Sequence, residues 1–438
     1  MFINRIKELE SLEDEYNSNN ASFSVVYGRR RVGKTALLSQ FIKDKTHIYL
    51  YITQSDLKSQ LESFTLQIKQ FVEQSLSNHI SFTSFEEAIE FLTTLNLNQK
   101  LILVIDEYQY LPSIDKSFSS KLQKLWDEKL QHSNIYLILC GSVLSMMQSE
   151  VLNYSAPLYG RRTSQFHIKS VKFKHIVEFL PRLNTLEQMQ VFSSFGTIPK
   201  YLNEYDQTIS FMKNIEKKIL NKNSYLYSEG NFLLKNEISD SSTYFSILES
   251  ISKGNTKIGD IASSLGLIST HLTKYLKKLI ELDIVHKETP VTDTNPLKSK
   301  FGRYKIKDKF LNFWFYYVFK NYNYLEIDQT KAVLNEIDLN FNDRFVSFCF
   351  EDFVIEDIWE NPKKYLEFTP LKVGRWWSNK KEIDIIAFDD NNITFIECKW
   401  QNSVKKQSVR DKLIVKAQNI KHNKNSSYLV VTKDDYLV

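Results

Sequence analysis

The eight residues Gly28–Thr35 constrain the fold more strongly than any other part of the chain. They fit the pattern G-x-x-x-x-G-K-[ST] and lie between the apolar run 23–27 and a helical pattern that starts at Ala36. In this order of strand, glycine loop and helix, the N–H groups of the loop can surround a triphosphate at the positive end of the helix. A chance glycine turn with a basic face is the weaker alternative, because both flanks fit. We therefore expect an α/β domain that binds ATP.

Individual residues of this loop have distinct predicted roles. Lys34 is expected to reach the β- and γ-phosphates, and Thr35 to place its hydroxyl on Mg²⁺. Gly28 and Gly33 allow backbone angles and a close approach that a Cβ atom would block. The residues predicted to bind nucleotide here are Gly28, Arg29, Arg30, Arg31, Val32, Gly33, Lys34, Thr35 and Ala36.

Two carboxylates after a second apolar run are candidates for metal and water chemistry. Residues 101–105 are all apolar, which indicates a strand buried on both faces, and Asp106 and Glu107 follow it directly. Ligands of open α/β sheets bind at the carboxyl ends of the strands. We expect Asp106 to hold Mg²⁺ and Glu107 to polarise the attacking water. A solvated acidic turn is the alternative, and the upstream glycine loop makes it the weaker one.

Three further polar residues follow later strands or loops of this half. Ser142 ends the apolar strand pattern 135–140, where it could lie beside the γ-phosphate, but a helix cap before Val143 is at least as well supported. Arg161 and Arg162 follow a loop, and their guanidinium groups suit the charge that develops on a transferring phosphoryl group. For at least one of these arginines, a solvated turn is the better interpretation.

Composition limits the number of domains and the cellular setting. With 438 residues, the chain is too long for one ordinary core, which predicts two or three domains. The 57 basic and 52 acidic residues give a net charge of +5, which permits nucleic acid as a partner without requiring it. The three dispersed cysteines predict neither a disulfide framework nor a zinc site. Because the first eight residues lack a signal core and the apolar run 310–319 is short, we expect a cytoplasmic protein without a membrane segment.

The succession of strand and helix patterns predicts five segments. Strands alternate with helices in the first of them, which predicts a doubly wound parallel sheet. The segments are an ATPase core at 1–164, a helical lid at 165–238, a winged helix at 239–308, a helical linker at 309–334 and a nuclease-like α/β domain at 335–438.

The winged helix is predicted from two helices and two strands. A short helix at 256–265 is followed by a longer one that Ser269 caps, and the strand patterns 284–288 and 303–307 form the wing. A winged helix usually places its second helix in the major groove of DNA and its wing on the backbone. The alternative is a module that joins two halves of the protein and whose lysines are solvated. Residues expected to face inward are Leu272, Leu276, Leu279 and Ile280, and those expected to face outward are His271, Lys274, Lys277 and Lys278.

Two strand patterns near the carboxyl terminus carry a second set of charged residues. In the predicted hairpin, Asp384 and Glu397 can meet at one metal ion, and Glu397 and Lys399 project from the same face of their strand. Two carboxylates that hold Mg²⁺ beside a lysine can activate water and neutralise a scissile phosphate. A helix carboxylate, Glu351, could complete the metal shell. An exposed salt-bridged hairpin is the alternative, and the apolar neighbours of these charges make it the weaker one.

The amino-terminal half resembles the archaeal-type P-loop ATPases within the AAA+ and STAND assemblage. The resemblance lies in the loop Gly28–Thr35, in Asp106 and Glu107, in the segment 140–142 and in the segment 158–163. One departure is Thr197, which stands where a second glycine often precedes the proline of a later turn. The resemblance implies an ATP-hydrolysing domain that requires Mg²⁺.

The carboxy-terminal region is similar to the domain of unknown function DUF234, which looks like a PD-(D/E)xK nuclease fold. By that resemblance Glu351, Asp384, Glu397 and Lys399 correspond to the helix acid, the first-strand aspartate and the E-x-K pair. Ile383, rather than proline, precedes the aspartate. The first hypothesis is an ATPase coupled through a winged helix to a nuclease that cleaves DNA with Mg²⁺ or Mn²⁺. The second is a regulatory ATP-dependent switch whose nuclease fold only binds DNA or protein. If Arg161 and Arg162 act across a subunit boundary, the protein is a homo-oligomer, which the sequence leaves open.

Overall fold

The computed structural model describes residues 2–72, 80–238, 241–378 and 381–436. The predicted boundaries at 1, 239 and 438 therefore fall on residues outside the described ranges.

The chain divides into two compact units, residues 1–171 and residues 172–438. Within its described residues, the first unit contains a five-stranded sheet whose strands all run parallel in the order β2-β3-β4-β1-β5. Its strands are β1 Ser22–Tyr27, β2 His47–Tyr51, β3 Leu101–Asp106, β4 Ile135–Gly141 and β5 Ser164–His167. Its α-helices are Ile6–Tyr16, Lys34–Ile42, Leu57–Phe71, Phe85–Thr93, Tyr110–Ile114, Phe118–Glu128 and Leu144–Met147.

The sheet is buried on both faces, as the apolar runs predict. Strands β3 and β4 are buried along their whole length. Successive residues of β3 point to opposite faces, so that Leu103 packs in one core with Phe64 and Phe85, whereas Val104 packs in the other with Leu37. The parallel α/β sheet predicted from the sequence is confirmed. Strand β5 pairs with β1, so this sheet extends beyond residue 164, the predicted end of the core.

The second unit is helical over its first two thirds and ends in a mixed sheet. Its α-helices are Ile176–Phe179, Thr185–Ser194, Pro199–Leu202, Phe211–Asn214, Tyr225–Glu237, Ser242–Ser252, Ile258–Ser264, Ser269–Glu281, Lys309–Phe313, Tyr322–Glu326, Thr330–Phe341, Ser347–Glu360 and Lys406–Ala417. Its strands are β6 Val285–Glu288, β7 Arg303–Ile306, β8 Lys372–Trp377, β9 Glu382–Phe388, β10 Asn392–Lys399 and β11 Asn425–Thr432.

The last four strands form one sheet in the order β11-β10-β9-β8. Strands β8, β9 and β10 are antiparallel neighbours, and β11 runs parallel to β10. The helix Lys406–Ala417 makes the crossover between the two parallel strands, and its Leu413 and Ala417 pack against Ile393 and Phe395 of β10. This crossover therefore sets the helix against the charged residues of β10.

The predicted wing corresponds to the antiparallel pair β6 and β7, which packs against the four-stranded sheet. Arg303 donates to the Glu382 carboxylate at 2.9 Å, and its guanidinium carbon lies 4.3 Å from the centre of the Trp377 ring. The indole N–H of Trp377 donates to the carbonyl of Phe301 at 2.9 Å. One face of this hairpin is thus covered by the carboxy-terminal sheet of the same chain.

Two details of the preceding helix differ from the sequence predictions. Its interior residues Leu272, Leu276 and Leu279 are buried as expected, but Ile280 is 39% exposed because it lies at the edge of the apolar stripe. The helix begins at Ser269 itself, with Ile268 at the cap position and no side-chain cap, so the predicted capping role of Ser269 is wrong.

The aromatic segment 310–319 is almost entirely buried. It forms the helix Lys309–Phe313 and a π-helical continuation, Trp314–Phe319, inside the second unit. Across the described parts of the chain, no helix combines the length and the apolar character needed to cross a bilayer.

Candidate functional site

The glycine loop closely approaches the end of β5. A Cβ atom on Gly28 would lie 2.2 Å from the carbonyl oxygen of Ile168, so only glycine fits there. Gly33 has a φ of +97° and forms the amino-terminal cap of the helix Lys34–Ile42. The first free N–H groups of this helix therefore border the loop, where the sequence predicts phosphate groups.

The ammonium of Lys34 lies within the loop. It donates to the carbonyls of Gly28 at 2.9 Å and Arg29 at 3.0 Å, and the residue is only 5% exposed. Burial lowers the pKa of Lys34, and the charges of Asp106 and Glu107 oppose that shift. The hydrogen-bond partners of Lys34 among the described residues are these two carbonyls, and a buried cation held in this way fits a polyphosphate.

The two predicted Mg²⁺ ligands are adjacent at the end of β3. The Thr35 hydroxyl donates to Oδ2 of Asp106 at 3.1 Å, and the backbone N–H of Glu107 donates to Oδ1 at 2.9 Å. A third group, the phenol of Tyr49 on the neighbouring strand, donates to Oδ2 at 2.5 Å. All donors to this buried carboxylate are neutral, so Asp106 and Thr35 fit a divalent cation.

Glu107 is held beside Asp106 in a left-handed backbone conformation, with a φ of +55°. The Ser142 hydroxyl donates to both of its carboxylate oxygens, at 2.7 and 3.0 Å, and the amide of Gln109 donates to one of them. The helix Leu144–Met147 has Val143 at its cap position and no side-chain cap, so the capping alternative for Ser142 is wrong.

The remaining loop residues surround this centre in different ways. Val32 is buried, Arg29 and Arg31 are half-buried, and Ala36 is exposed in the first turn of the helix. Arg30 donates to the Tyr110 hydroxyl at 2.8 Å. The loop is also tied from outside, because Arg5 donates to the carbonyl of Val32 at 3.1 Å and to that of Lys169.

Arg161 and Arg162 make contacts that the sequence did not indicate. Arg161 forms a two-point ion pair with Asp127, at 3.0 and 3.2 Å. Arg162 donates to the carbonyl of Val151 at 3.0 Å and lies over the Tyr159 ring. A catalytic role for Arg161 would require Asp127 to release it.

The second charged cluster lies between β9, β10 and the helix Lys406–Ala417. The Lys399 ammonium is 2.9 Å from Oε1 of Glu397 and 3.8 Å from Oδ2 of Asp384, so the predicted trio is brought together. The backbone N–H of Cys398 donates to Asp384 at 2.9 Å. Lys416 contacts both oxygens of Glu397, at 2.9 and 3.1 Å, so two ammonium groups already neutralise this carboxylate.

The pKa values of this cluster follow from burial and close charges. Burial, and then the Glu397 carboxylate, raise the pKa of Asp384. Burial lowers that of Lys399, but the charges of Asp384 and Glu397 outweigh it and raise the pKa overall. A cation that entered here would favour the ionised form of Asp384.

Glu351 belongs to a neighbouring network centred on Arg375. This arginine is 4% exposed and lies 2.9 Å from Glu351, 3.0 Å from Glu288 and 2.6 Å from Asp352. Burial raises the pKa of Glu351 to about 7, against the pull of Arg375 and with the charge of Asp384 adding to it. In the described part of the chain, no group of three His, Cys, Asp or Glu side chains is arranged to hold a metal. Asp384 and Glu397 are therefore the pair to consider, and Glu351 is engaged by Arg375.

Several residues that contact the predicted carboxylates were not identified from the sequence. Tyr49 and Gln109 contact the carboxylates of the first unit, and Lys416 and Arg375 contact those of the second. One signal was available for Tyr49, because its side chain alternates with the buried Ile48 and Leu50 along the strand. The others depend on which elements become neighbours.

Two families of known proteins match different parts of the chain. A family described as an ATPase domain predominantly from Archaea matches residues 2–205, and a family described as archaeal and bacterial proteins of unknown function matches residues 314–411. In structure, the chain is similar to a Walker-type ATPase of Pyrococcus abyssi, with a TM-score of 0.54 and 20% identity, over 72% of this chain and 96% of that one. That likeness supports the fold.

Two proteins of Methanocaldococcus jannaschii are similar in sequence. An uncharacterized ATP-binding protein is 53% identical over 45 residues, which are 10% of this chain and 76% of that protein. An uncharacterized protein is 36% identical over 405 residues, which are 92% of this chain and 88% of the relative. The chain therefore belongs to the family of archaeal-type P-loop ATPases that carry the domain of unknown function DUF234 at their carboxyl end.

Proposed function

We propose that the first unit hydrolyses ATP in a Mg²⁺-dependent reaction. The observation that carries the proposal is the convergence of Lys34, Thr35, Asp106 and Glu107 at one edge of the sheet, with Thr35 and Asp106 only 3.1 Å apart. Bound Mg²⁺ would offset the negative charge of the phosphates. The protein would hold this cation with Thr35 and Asp106.

The other residues of the edge have complementary roles in this proposal. Lys34 would exchange its carbonyl partners for phosphate oxygens, which are stronger acceptors for a cation. Glu107 would orient a water molecule and accept its proton. Ser142 would keep the Glu107 carboxylate in place until nucleotide binds, since its hydroxyl reaches both oxygens.

The experiment compares two buried lysines of the same unit. Lys34→Met removes the cation from the loop, and ATP turnover should fall to background. Lys100→Met is the matched control, because Lys100 is also buried and caps backbone carbonyls, at 2.7 and 2.8 Å, but it precedes β3 at the other end of the strand. Lys100→Met should retain turnover per folded molecule. Undiminished hydrolysis by Lys34→Met would refute the assignment of the loop.

A second candidate function is metal-dependent cleavage of DNA by the carboxy-terminal sheet. It is supported by the convergence of Asp384, Glu397 and Lys399, the residue types that a PD-(D/E)xK nuclease requires. Asp384 and Glu397 would hold Mg²⁺ or Mn²⁺, and Lys399 would neutralise the phosphate. The competing proposal is a regulatory switch in which this sheet only binds DNA or protein.

DNA contact through the predicted winged helix is a further part of this proposal. The helix Ser269–Glu281 leaves His271, Lys274 and Lys277 exposed, as a recognition helix requires. The hairpin β6 and β7 is less suitable as a wing, since it is engaged by Glu382 and Trp377. We therefore propose that the helix, and not the hairpin, supplies this contact.

Cleavage is tested with linear and circular DNA in Mg²⁺ or Mn²⁺, with and without ATP. Asp384→Asn should abolish cleavage. Asp389→Asn is the matched control, because Asp389 lies in the turn of the same hairpin and its carboxylate accepts from the backbone N–H groups of Asn391 and Asn392. If wild-type protein hydrolyses ATP but cleaves no substrate, the regulatory switch becomes the better account.

A further inference from the structure

The helix Lys406–Ala417 and its cap residue carry an excess of positive charge. Among residues 405–416 the basic ones are Lys405, Lys406, Arg410, Lys412 and Lys416, against the single acid Asp411. Two of them are engaged, Lys406 with Asp435 at 2.6 Å and Lys416 with Glu397. The side chains of Lys405, Arg410 and Lys412 are exposed and have no hydrogen-bond or ion-pair partner among residues that the structure describes.

The spacing places three of these lysines in one line. Lys412 and Lys416 are four residues apart on one face of the helix, and Lys405, the residue that precedes its first turn, stands seven positions before Lys412. At 1.5 Å per residue the line is about 16 Å long. It ends at Lys416, which contacts the carboxylate of Glu397 beside Lys399 and Asp384.

Two of the three charges of this line, those of Lys405 and Lys412, have no acidic partner among the described residues. Exposed lysines on other helices of the chain commonly have an acid four residues away, as Lys58 has Glu62 and Lys124 has Glu128. Lys405 and Lys412 have none, and like charges on one face repel one another slightly. A polyanion laid along the helix would relieve this repulsion and release its own counterions.

We propose that this line of lysines binds the phosphate backbone of a nucleic acid and directs it toward Asp384 and Glu397. The inference rests on the second candidate function, the action of the carboxy-terminal sheet on DNA. It adds the surface that holds the substrate, which contacts phosphates and therefore reads no base sequence. Lys405 and Lys412 anchor the strand, and Lys416 marks where it reaches the carboxylates.

The test measures binding of a fluorescently labelled DNA duplex and a labelled single strand by full-length protein in EDTA, so that no cleavage occurs. Anisotropy titrations between about 50 and 200 mM salt give the salt dependence of the affinity. The double variant Lys405→Gln/Lys412→Gln should bind about tenfold more weakly at low salt, with a salt slope smaller by about one per lysine removed. Lys405→Arg/Lys412→Arg should restore both values, because it keeps the charges.

Two further double variants identify the source of any loss. Lys58→Gln/Lys124→Gln removes the same charge from the first unit and should leave the slope unchanged. Lys274→Gln/Lys277→Gln removes charge from the proposed recognition helix. The inference is overturned if only Lys274→Gln/Lys277→Gln lowers the salt slope. It is also overturned if Lys405→Gln/Lys412→Gln binds DNA like the wild type. If DNA is bound through the line but never cleaved, the line stands and the cleavage proposal fails.

Discussion

The two carboxylate clusters of this chain are held in opposite ways. In the first unit, the carboxylates accept from neutral groups. Asp106 accepts from two hydroxyls and a backbone N–H, and Glu107 accepts from one hydroxyl and one amide. In the second unit, Glu397 lies between the ammonium groups of Lys399 and Lys416, and Glu351 faces the guanidinium of Arg375. One cluster keeps its negative charge, and the other is already compensated.

This difference in charge leads us to expect different metal affinities for the two clusters. At Asp106 a cation would find an oriented carboxylate and a hydroxyl, and the groups seen to donate to this carboxylate are neutral. At Glu397 it would have to displace or repel two lysines, so the same ion should bind there more weakly. We therefore expect the first cluster to take up Mg²⁺ with its nucleotide more readily than the second, where Glu397 is already paired with two lysines.

The largest expected effect is on the neutral-donor cluster. Glu107→Gln keeps the size of the side chain and an oxygen for Ser142, but it removes the charge that would accept a proton. We expect turnover of ATP to fall by about 10²–10⁴-fold while nucleotide is still bound. Steady-state hydrolysis and equilibrium binding of a fluorescent ATP analogue measure the two effects. Glu62→Gln, on an exposed helix surface, is the control, and a variant as active as this control would exclude Glu107 as the base.

The next effect concerns the compensated cluster. Arg375→Met removes the cation that Glu288, Glu351 and Asp352 share, although Lys305 still pairs with Glu288 and Lys309 with Asp352. Removing one partner of a buried ion network costs about 3–5 kcal/mol of unfolding free energy. Denaturant unfolding followed by tryptophan fluorescence measures it, because of the six tryptophans only Trp126 lies outside the second unit.

The control for that variant is a half-exposed pair. Arg161→Gln breaks the ion pair with Asp127, whose side chains are 33% and 44% exposed, and it should cost at most about 1 kcal/mol. Equal losses of unfolding free energy in the two variants would mean that the ion network around Arg375 stabilises the fold no more than a surface ion pair does.

Local patterns explain which parts of this comparison could be predicted. The glycine loop, the strand before Asp106 and the E-x-K spacing of Glu397 and Lys399 are fixed by residues close together in the sequence, where apolar periods and turn residues determine the structure. Asp384 could be paired with Glu397 because a short turn fixes the register of a hairpin.

The missed contacts depend on long-range order. Tyr49 reaches Asp106 only because β2 is the neighbour of β3, and no sequence pattern states the order of strands in a sheet. Lys416 reaches Glu397 because the crossover helix Lys406–Ala417 packs over β10, although the two residues are 19 positions apart in the sequence. Ser142 was ambiguous for a related reason, since a hydroxyl after a strand can cap the next helix or face a neighbouring strand, and here it faces Glu107.

A smaller expected effect is on the metal affinity of the carboxy-terminal cluster. Lys416→Met removes one of the two cations at Glu397, so Mn²⁺ should bind the carboxy-terminal cluster about tenfold more tightly. Isothermal titration of nucleotide-free protein with Mn²⁺ measures this, and Asp106→Asn in the same background removes the carboxylate of the proposed first site. An unchanged affinity would show that Lys416 does not compete with a cation at Glu397.

The smallest expected effect is on the Mg²⁺ dependence of ATP binding, and it concerns Tyr49, one of the neutral donors to Asp106. Its phenol and the Thr35 hydroxyl share one oxygen of Asp106, so Thr35 is free to turn toward a cation while Tyr49 continues to hold the carboxylate. Tyr49→Phe removes this hydrogen bond and keeps the ring, and the Mg²⁺ concentration for half-maximal binding of ATP should rise about three- to tenfold. Binding of ATP in EDTA should not change, because in the proposed site the phosphates would contact the loop and not Asp106.

Tyr136→Phe is the matched control, since Tyr136 is buried in the same sheet and its hydroxyl bonds to Ser24 at 2.7 Å, away from the carboxylates. A loss of stability alone would be common to both variants, whereas the shift in Mg²⁺ dependence should be confined to Tyr49→Phe. If both variants or neither show the shift, the phenol does not orient Asp106. Thr35 and the backbone N–H of Glu107 would then be sufficient to hold this carboxylate, and the contrast with the lysine-bound Glu397 would rest on two donors instead of three.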